Sequence, residues 1–409
     1  MSDLRQIPDA AVPVSLLSRP KAFGGHRVGD CLVGDLILCD GKVRGMAARQ
    51  GAAPRALILP QSVEVHCHLD KCHTIDRIGP VAGGLQEAIA AQEADKRNWS
   101  RADLVRRIAR ALEEYAAAGC GIIRSHLDWP ENPTPDRLPP AWDILDEQAR
   151  GQGIGLQIAA LCGIDMLAAP GVADTVARLL APRDGVLGAF VLHQPERMAG
   201  IRAVFAAAER FGLALDFHVD EGLDPGLDGL SLIADVALET GFQGPVLCGH
   251  ACSMSLLPPD ALARLADRLA RAGITIAVLP ATNLYLQGRH AGKTPRPRGI
   301  APLHELRARG ARVVIGTDNV RDAFLPIGRH DPLVALSTGC LAAQLDPPFG
   351  DWLPAITTDA RAALGLAPVT IDGAPLAGLR AFPAGSTTEL LAHPPAPTRL
   401  DELITESIA

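Results

Sequence analysis

Leu213-Ala-Leu-Asp-Phe-His-Val-Asp-Glu221 is a short apolar run that ends in a histidine and two acids, and its neighbours repeat the design. Upstream lies Ile201–Phe211, apolar at helical spacing and stopped by Gly212. Downstream, Leu230–Thr240 is a second helical pattern stopped by Gly241, and then Pro245-Val-Leu-Cys-Gly-His250 is another apolar run ending in histidine. A run of β-forming residues followed by a 3.6-period stretch is the signature of a β/α unit. Extended outward, the same alternation predicts strands over Val63–His68, Gly121–His126, Gly155–Leu161, Val186–His193, Leu213–His218, Pro245–His250, Ile274–Leu279 and Arg312–Thr317. Helical patterns fall at Arg101–Ala118, Ala141–Arg150, Ile201–Phe211, Leu230–Thr240, Pro259–Ala272 and Pro302–Arg309, several followed by a glycine placed for a left-handed cap (Gly119, Gly273, Gly310). Eight strands with intervening helices predict an α/β fold of the (β/α)8 TIM-type barrel class.

The barrel accounts for residues 59–365 of the 409. Residues 1–58 contain a hairpin, Cys31–Met46, turned at Asp40-Gly41, a pair that tolerates positive φ. Residues 366–409 lose the β/α rhythm; Leu376–Phe382 and Glu389–Ala392 are read as strands that join the hairpin in a small β domain built from both chain ends. With 48% apolar and 21% charged residues, disorder is excluded. A net charge of −7 argues against a nucleic-acid partner. Met1-Ser-Asp-Leu-Arg-Gln-Ile-Pro-Asp9 has no basic segment leading into an apolar run, and no stretch approaches the length of a membrane span, so a cytoplasmic protein with no membrane partner is expected. The nine cysteines, an odd number without a Cys-x-x-Cys pair, fit a reducing compartment. Oligomeric state is left open, with homo-oligomers common.

Barrel enzymes work at the carboxyl ends of their strands. Strand one ends His66-Cys-His-Leu-Asp-Lys71, and the period of two puts both imidazoles on one face. Strand five ends His218-Val-Asp-Glu221, strand six Gly249-His250, and strand eight Gly316-Thr-Asp-Asn319. Three histidines and one aspartate at one mouth form a mixed N/O site suited to a divalent metal with an open water position. Each residue alone has a plainer explanation: His126 and His193 as hydrogen-bonded core residues, an Asp after a strand as a helix cap, Glu221 as a solvated loop carboxylate. Ligand or acid–base types ending separate strands of one barrel are not explained that way.

The sequence resembles the amidohydrolase superfamily, and within it the cytosine deaminase-like branch, over roughly residues 60–330. Val65-His-Cys-His-Leu-Asp-Lys71, Ile123-Arg-Ser-His-Leu-Asp128, Phe217-His-Val-Asp-Glu221, Gly249-His250, Asn283-Leu-Tyr-Leu-Gln-Gly-Arg289 and Gly316-Thr-Asp318 carry the resemblance. It implies one Zn or Fe ion held by His66, His68, His218 and Asp318, with Glu221 and His250 handling protons while an exocyclic amine leaves as ammonia; Asp318, acceptor-only when ionised, can ligate with one oxygen and take the water proton with the other. It implies the small β domain as well. The carboxylated lysine that bridges two metals in other members would end strand four, and Val186–His193 contains no lysine, which favours a single ion. The implied partner is a small cytosine-like nitrogen heterocycle, lined by Gln287, Asn319, Phe324 and Gly163.

Substrate is where the chain departs from that branch. Gly163 stands where cytosine deaminases carry a pyrimidine-reading Gln, Asn319 where they carry a second Asp, and Phe324 where they carry Trp. Losing one hydrogen-bonding side chain can change substrate choice by several powers of ten. Asp318-Asn-Val-Arg-Asp-Ala-Phe-Leu-Pro-Ile-Gly328 is closer to the isopropylammelide amidohydrolase branch, which acts on triazines. Cytosine itself is therefore expected to be a poor substrate, and an N-substituted aminotriazine or a cyclic amide is the alternative. A non-enzymatic scaffold would be expected to lack ligands, and none is missing.

Overall fold

The computed structural model describes residues 4–49, 53–131, 133–134 and 137–404. Eight parallel strands follow one another in chain order: Ser62–Cys67, Cys120–Asp128, Gly155–Gly163, Val186–Val191, Leu215–Val219, Val246–His250, Thr275–Val278 and Arg312–Ile315, strands one to eight below. The ring closes where Cys67 bridges Asp318, with the Asp318 N–H donating to the His66 carbonyl at 2.9 Å. Buried Glu64 reinforces this seam by accepting from the Thr317 N–H at 3.1 Å. The (β/α)8 barrel read from the β/α alternation is borne out.

Helices wrap the barrel as their apolar spacing requires. Arg101–Ala117 buries Leu104, Ile108, Ala111, Leu112 and Tyr115, a stripe of i, i+4, i+7, i+8 and i+11, and Ser100 caps it by accepting from the Asp103 N–H at 3.2 Å. Gly212 and Gly241 close their helices with φ of 67° and 64°. Helices also form over Leu85–Asp95, Val172–Leu180 and Pro332–Ala343, which the sequence patterns did not single out.

The second sheet runs Thr398–Arg399, Leu379–Phe382, Ala56–Pro60, Leu4–Pro13, Cys31–Cys39, His26–Val28, with Lys42–Ala47 also pairing Cys31–Cys39. The hairpin turned at Asp40-Gly41 is present, and Leu379–Phe382 joins the sheet through Ala56–Pro60. Glu389–Ala392 does not. It lies in the helix Thr387–Ala392, because Ser386 caps the Glu389 N–H at 3.1 Å and Glu389 Oε2 accepts from the Gly385 N–H at 2.7 Å. Ser followed three residues later by Glu is a helix-start signal, and it sets the conformation of the residues that follow. No helix among the described residues is long and apolar enough to cross a membrane, and all nine cysteines are free.

Candidate active site at the barrel mouth

Strand register decides which side chains face inward. Asp216 and His218 of strand five pair with Gly188 and Phe190 of strand four, which pair in turn with Leu161 and Gly163 of strand three. Asp128 pairs with Leu161 and His126 with Ala159. One inward face therefore carries His126, Asp128, Gly163, Phe190, Asp216 and His218 around half the barrel. Gly249 is register partner to His218, and a Cβ there would meet the His66 ring at 2.7 Å, so only glycine leaves that imidazole its place. The next residue, His250, pairs with outward-facing Val219, yet its φ of 70° turns it so that its ring lies 5.2 Å from His218 and 5.3 Å from His66. Asp318 and Asp220 adopt left-handed φ of 62° and 53° as well. Non-glycine residues held in this region cost free energy and gather at functional sites.

At the centre His68 Nε2 stands 3.1 Å from His218 Nε2, and Asp318 Oδ1 stands 3.3 Å from His68 Nε2 and 3.6 Å from His66 Nε2. Donors about 2.0–2.1 Å from a tetrahedral metal stand about 3.3 Å from one another. Both His66 ring nitrogens, His218 Nδ1 and both Asp318 oxygens are buried without a hydrogen-bond partner. Burial drives the His66, His68 and His218 imidazoles well below their ordinary pKa, keeping them neutral with a free lone pair. Spacing, orphaned polar atoms and neutral donors all fit a divalent cation, and that donor set could hold one.

Beside this cluster Glu221 Oε1 lies 3.5 Å from His250 Nδ1. Burial, with the Asp318 charge adding to it, pushes the Glu221 carboxyl well above the usual range, which favours its protonated form. Burial lowers His250 to about 4, against the pull of Asp318. Asn283 Nδ2 is 3.0 Å from His250 Nδ1; with the amide donating, the neutral ring carries its proton on Nε2, which has no other partner. Asp220 is different in kind: it accepts from the Gly229 and Leu230 N–H groups at 3.0 and 3.1 Å and caps the following helix.

The four residues read as substrate-lining have different surroundings. Gly163 sits on the inward face beside Phe190, whose ring is 40% exposed and would touch a Cβ at 163 at 3.4 Å. Asn319 is buried and spends its Nδ2 on Asp322 Oδ2 at 2.6 Å, so the amide donor is committed within the chain. Phe324 packs with Ala88, Leu286 and Ala323, where the helix Leu85–Asp95 meets the loops after strands seven and eight. Gln287 is buried with Nε2 unpartnered. His193 lies beyond the end of strand four, exposed, paired with Asp224 Oδ2 at 2.9 Å. His126, read as a core histidine, stands in the central cluster 4.1 Å from the His66 ring; its Nε2 is 3.0 Å from Asp216 Oδ1, whose Oδ2 accepts from Arg124 Nη1 at 2.9 Å. Sequence reasoning missed Lys71, buried with Nζ 3.3 Å from His68 Nδ1 and 2.6 Å from Asp128 Oδ1, and Lys96, 2.8 Å from Asp128 Oδ2. It missed Phe190 too: a strand-end aromatic looks like core until register puts it at the mouth.

A profile of the amidohydrolase family matches residues 76–371. The chain belongs to this family. Family members hydrolyse carbon–nitrogen bonds other than peptide bonds, and the superfamily resemblance read from the motifs is borne out. The amidohydrolase chain is 31% identical over 391 residues to a pterin deaminase of Rhizobium rhizogenes, covering 91% of this chain and 87% of that one. Its fold matches 5-methylcytosine deaminase from Klebsiella pneumoniae, liganded with 5-fluorocytosine, with a TM-score of 0.78 at 23% identity over 99% of this chain and 98% of that one. N-isopropylammelide isopropylaminohydrolase from Burkholderia multivorans follows at a TM-score of 0.69, also 23% identical, over 95% of each chain.

Proposed function

We propose that this amidohydrolase is a metal-dependent deaminase that replaces the exocyclic amine of an amino-substituted nitrogen heterocycle with oxygen, releasing ammonia. One observation carries the reading: the Glu221 carboxyl lies 3.5 Å from the His250 imidazole, both against the buried donors His66, His68, His218 and Asp318. These four would hold one ion, Zn or Fe, since imidazole and carboxylate suit both. Such an ion, when bound, lowers the pKa of its water from 15.7 toward about 7 and so supplies hydroxide at neutral pH.

The chain's own groups divide the remaining work. Glu221 donates its proton to a ring nitrogen, making the adjacent carbon electrophilic. His250 donates from Nε2 to the oxygen that gains charge at the tetrahedral centre. Asp318, acceptor-only when ionised, has a second oxygen to take the proton of the attacking water. The proton taken up by Asp318 passes to the amine, which leaves as ammonia; the ring nitrogen keeps the proton from Glu221, and the hydroxyl proton of the tetrahedral centre returns to Glu221 as the carbonyl forms.

Gly163 and the exposed Phe190 ring leave one wall of the mouth flat and apolar, which suits a heterocycle larger than cytosine. The pterin deaminase relative supports a bicyclic substrate. The test is ammonia release, as kcat/KM, from pterins, aminotriazines and cytosine, using protein of measured metal content. A pterin or another large aminoheterocycle is expected to exceed cytosine. Cytosine proving best would overturn the size argument; an N-alkylated triazine losing its amine fastest would favour the isopropylammelide-like activity. No ammonia from any compound by metal-loaded protein would overturn deamination.

A further inference from the structure

Away from the central cluster, a second set of metal-type donors meets on the seam between strands one and eight. Cys72 and His73 follow strand one, His330 follows strand eight, and Glu114 lies on the helix Arg101–Ala117. One donor atom from each of Cys72, His73 and His330 lies within 4.8 Å of the others. Glu114 Oε2 stands 2.8 Å from His330 Nδ1 and 3.6 Å from His73 Nε2, and the two imidazoles meet edge to face at 5.2 Å. We propose that Cys72, His73 and His330, with Glu114 beside the two imidazoles to complete the set, form a second, structural divalent-metal site that clasps this seam.

The competing explanation is an ordinary ion pair between Glu114 and His330. It accounts for those two residues, reaches His73 only at 3.6 Å, too long for a hydrogen bond, and leaves Cys72 unexplained. His73 is 5% exposed at its side chain, and both its ring nitrogens are buried with no hydrogen-bond partner, as at the central cluster. A buried imidazole with neither nitrogen satisfied is costly unless something coordinates it. Its backbone is also unusual. In an extended chain Cys72 and His73 would point to opposite sides, but the φ of 57° at His73 brings neighbouring side chains into one cluster. Cys72 Sγ has two weak contacts to give up on ligation, to the Leu69 carbonyl at 3.2 Å and the Arg107 carbonyl at 3.7 Å.

The donor chemistry selects the ion. A thiolate, two imidazoles and a carboxylate suit zinc and disfavour magnesium or calcium. Three protein donors leave a fourth position, and the Glu114 carboxylate beside both imidazoles would fill it, closing the site as in a structural rather than a catalytic centre. Its place gives it a purpose. The seam is closed by the Cys67–Asp318 bridge, and the ends joined there carry His66, His68 and Asp318. His330 and Glu114 also adjoin Tyr115, whose ring is 4.8 Å from His330 and whose hydroxyl is 2.6 Å from Thr317 Oγ1. An ion here would hold the loop after strand one, the helix Arg101–Ala117 and the loop after strand eight in one arrangement. This inference does not depend on the deaminase reading.

Sulfur makes the test selective, because the barrel-mouth donors contain none. Full-length protein, expressed with added zinc and dialysed, should hold two ions per chain. The His66→Asn/His68→Asn protein should keep one, and its cobalt-substituted form should show thiolate-to-cobalt charge transfer in the near ultraviolet. Cys72→Ser should abolish that band and lower the zinc content by one ion, and His330→Gln should do the same. Loss of all zinc from the His66→Asn/His68→Asn protein would overturn the proposal, as would a band that survives Cys72→Ser. Should these variants be insoluble, the wild-type protein decides: a cobalt form without a thiolate band excludes Cys72 as a ligand.

Discussion

Glu221 and Asp220 are adjacent acids that the fold separates into different roles. Asp220 spends its carboxylate on two helix N–H groups, while Glu221 is turned toward His250 and burial favours its protonated form. Replacing Glu221 by Gln keeps size and removes the proton donor. Turnover should fall by about 10²–10⁴-fold, the usual worth of general acid–base catalysis, while metal content stays at the parental level; near-parental turnover would reduce Glu221 to a structural carboxyl. His66→Asn should instead lower bound metal by one ion per chain and abolish turnover, read by elemental analysis alongside ammonia release. The two variants separate proton handling from metal holding. Glu221 was legible in the sequence because it follows His218 by three residues. Lys71 and Phe190 were not, since the partners that define them are strands away.

At the scale of elements, Arg77 ties three helices together. It bonds Asp95 at 2.7 and 2.6 Å and Asp103 at 2.7 and 3.1 Å, joining the turn Ile75–Ile78 and the helix Leu85–Asp95 to Arg101–Ala117. Burial pushes both carboxyls up, but the Arg77 hydrogen bonds and their other partners outweigh it, and both end below the usual range. Carboxyls depressed in the folded state stabilise it above their unfolded value of about 3.9, and that contribution is lost as pH falls through the folded value. Arg77→Met should therefore cost about 1–3 kcal/mol near neutrality. The gap from wild type should shrink below about pH 4, followed by urea unfolding across pH. A gap that widened in acid would mean the carboxyls are not held by Arg77. The helix Leu85–Asp95 escaped the sequence patterns because its buried positions, Ala88, Gln92 and Asp95, are not an apolar stripe. Glu389–Ala392 was read as strand because four residues are too few to show a helical period, and the Ser386–Glu389 start signal lies at and before its first residue.

At the scale of the whole molecule, the barrel interior holds a charge network that spans strands two, three and five. Arg124 and Asp216 are wholly buried and paired at 2.9 Å, and Gln157 Oε1 accepts from Arg124 at 3.0 and 2.7 Å. Removing one partner of such a pair strands the other charge in the core. Arg124→Met should destabilise the protein by about 3–5 kcal/mol, seen as a lower urea midpoint, and adding Asp216→Leu should recover part of it. A double variant no better than the single one would show that His126 and Gln157, rather than the ion pair, set the cost.

Local chemistry by itself determined the alternation of strands and helices, and with it the barrel, because apolar periodicity and helix-stop glycines act over a few residues. It also brought His66, His68, His218, Glu221, His250 and Asp318 to strand ends, since a residue's place along a strand is a matter of counting. Which of those ends face one another depends on register and closure. Only the tertiary structure decided that His126 joins the central cluster, that Asn319 turns its amide to Asp322, that Phe190 is left bare at the mouth, and that Cys72, His73, His330 and Glu114 converge. The reason is physical: contacts between groups tens to hundreds of residues apart are set by how the ring closes, and no local preference records them.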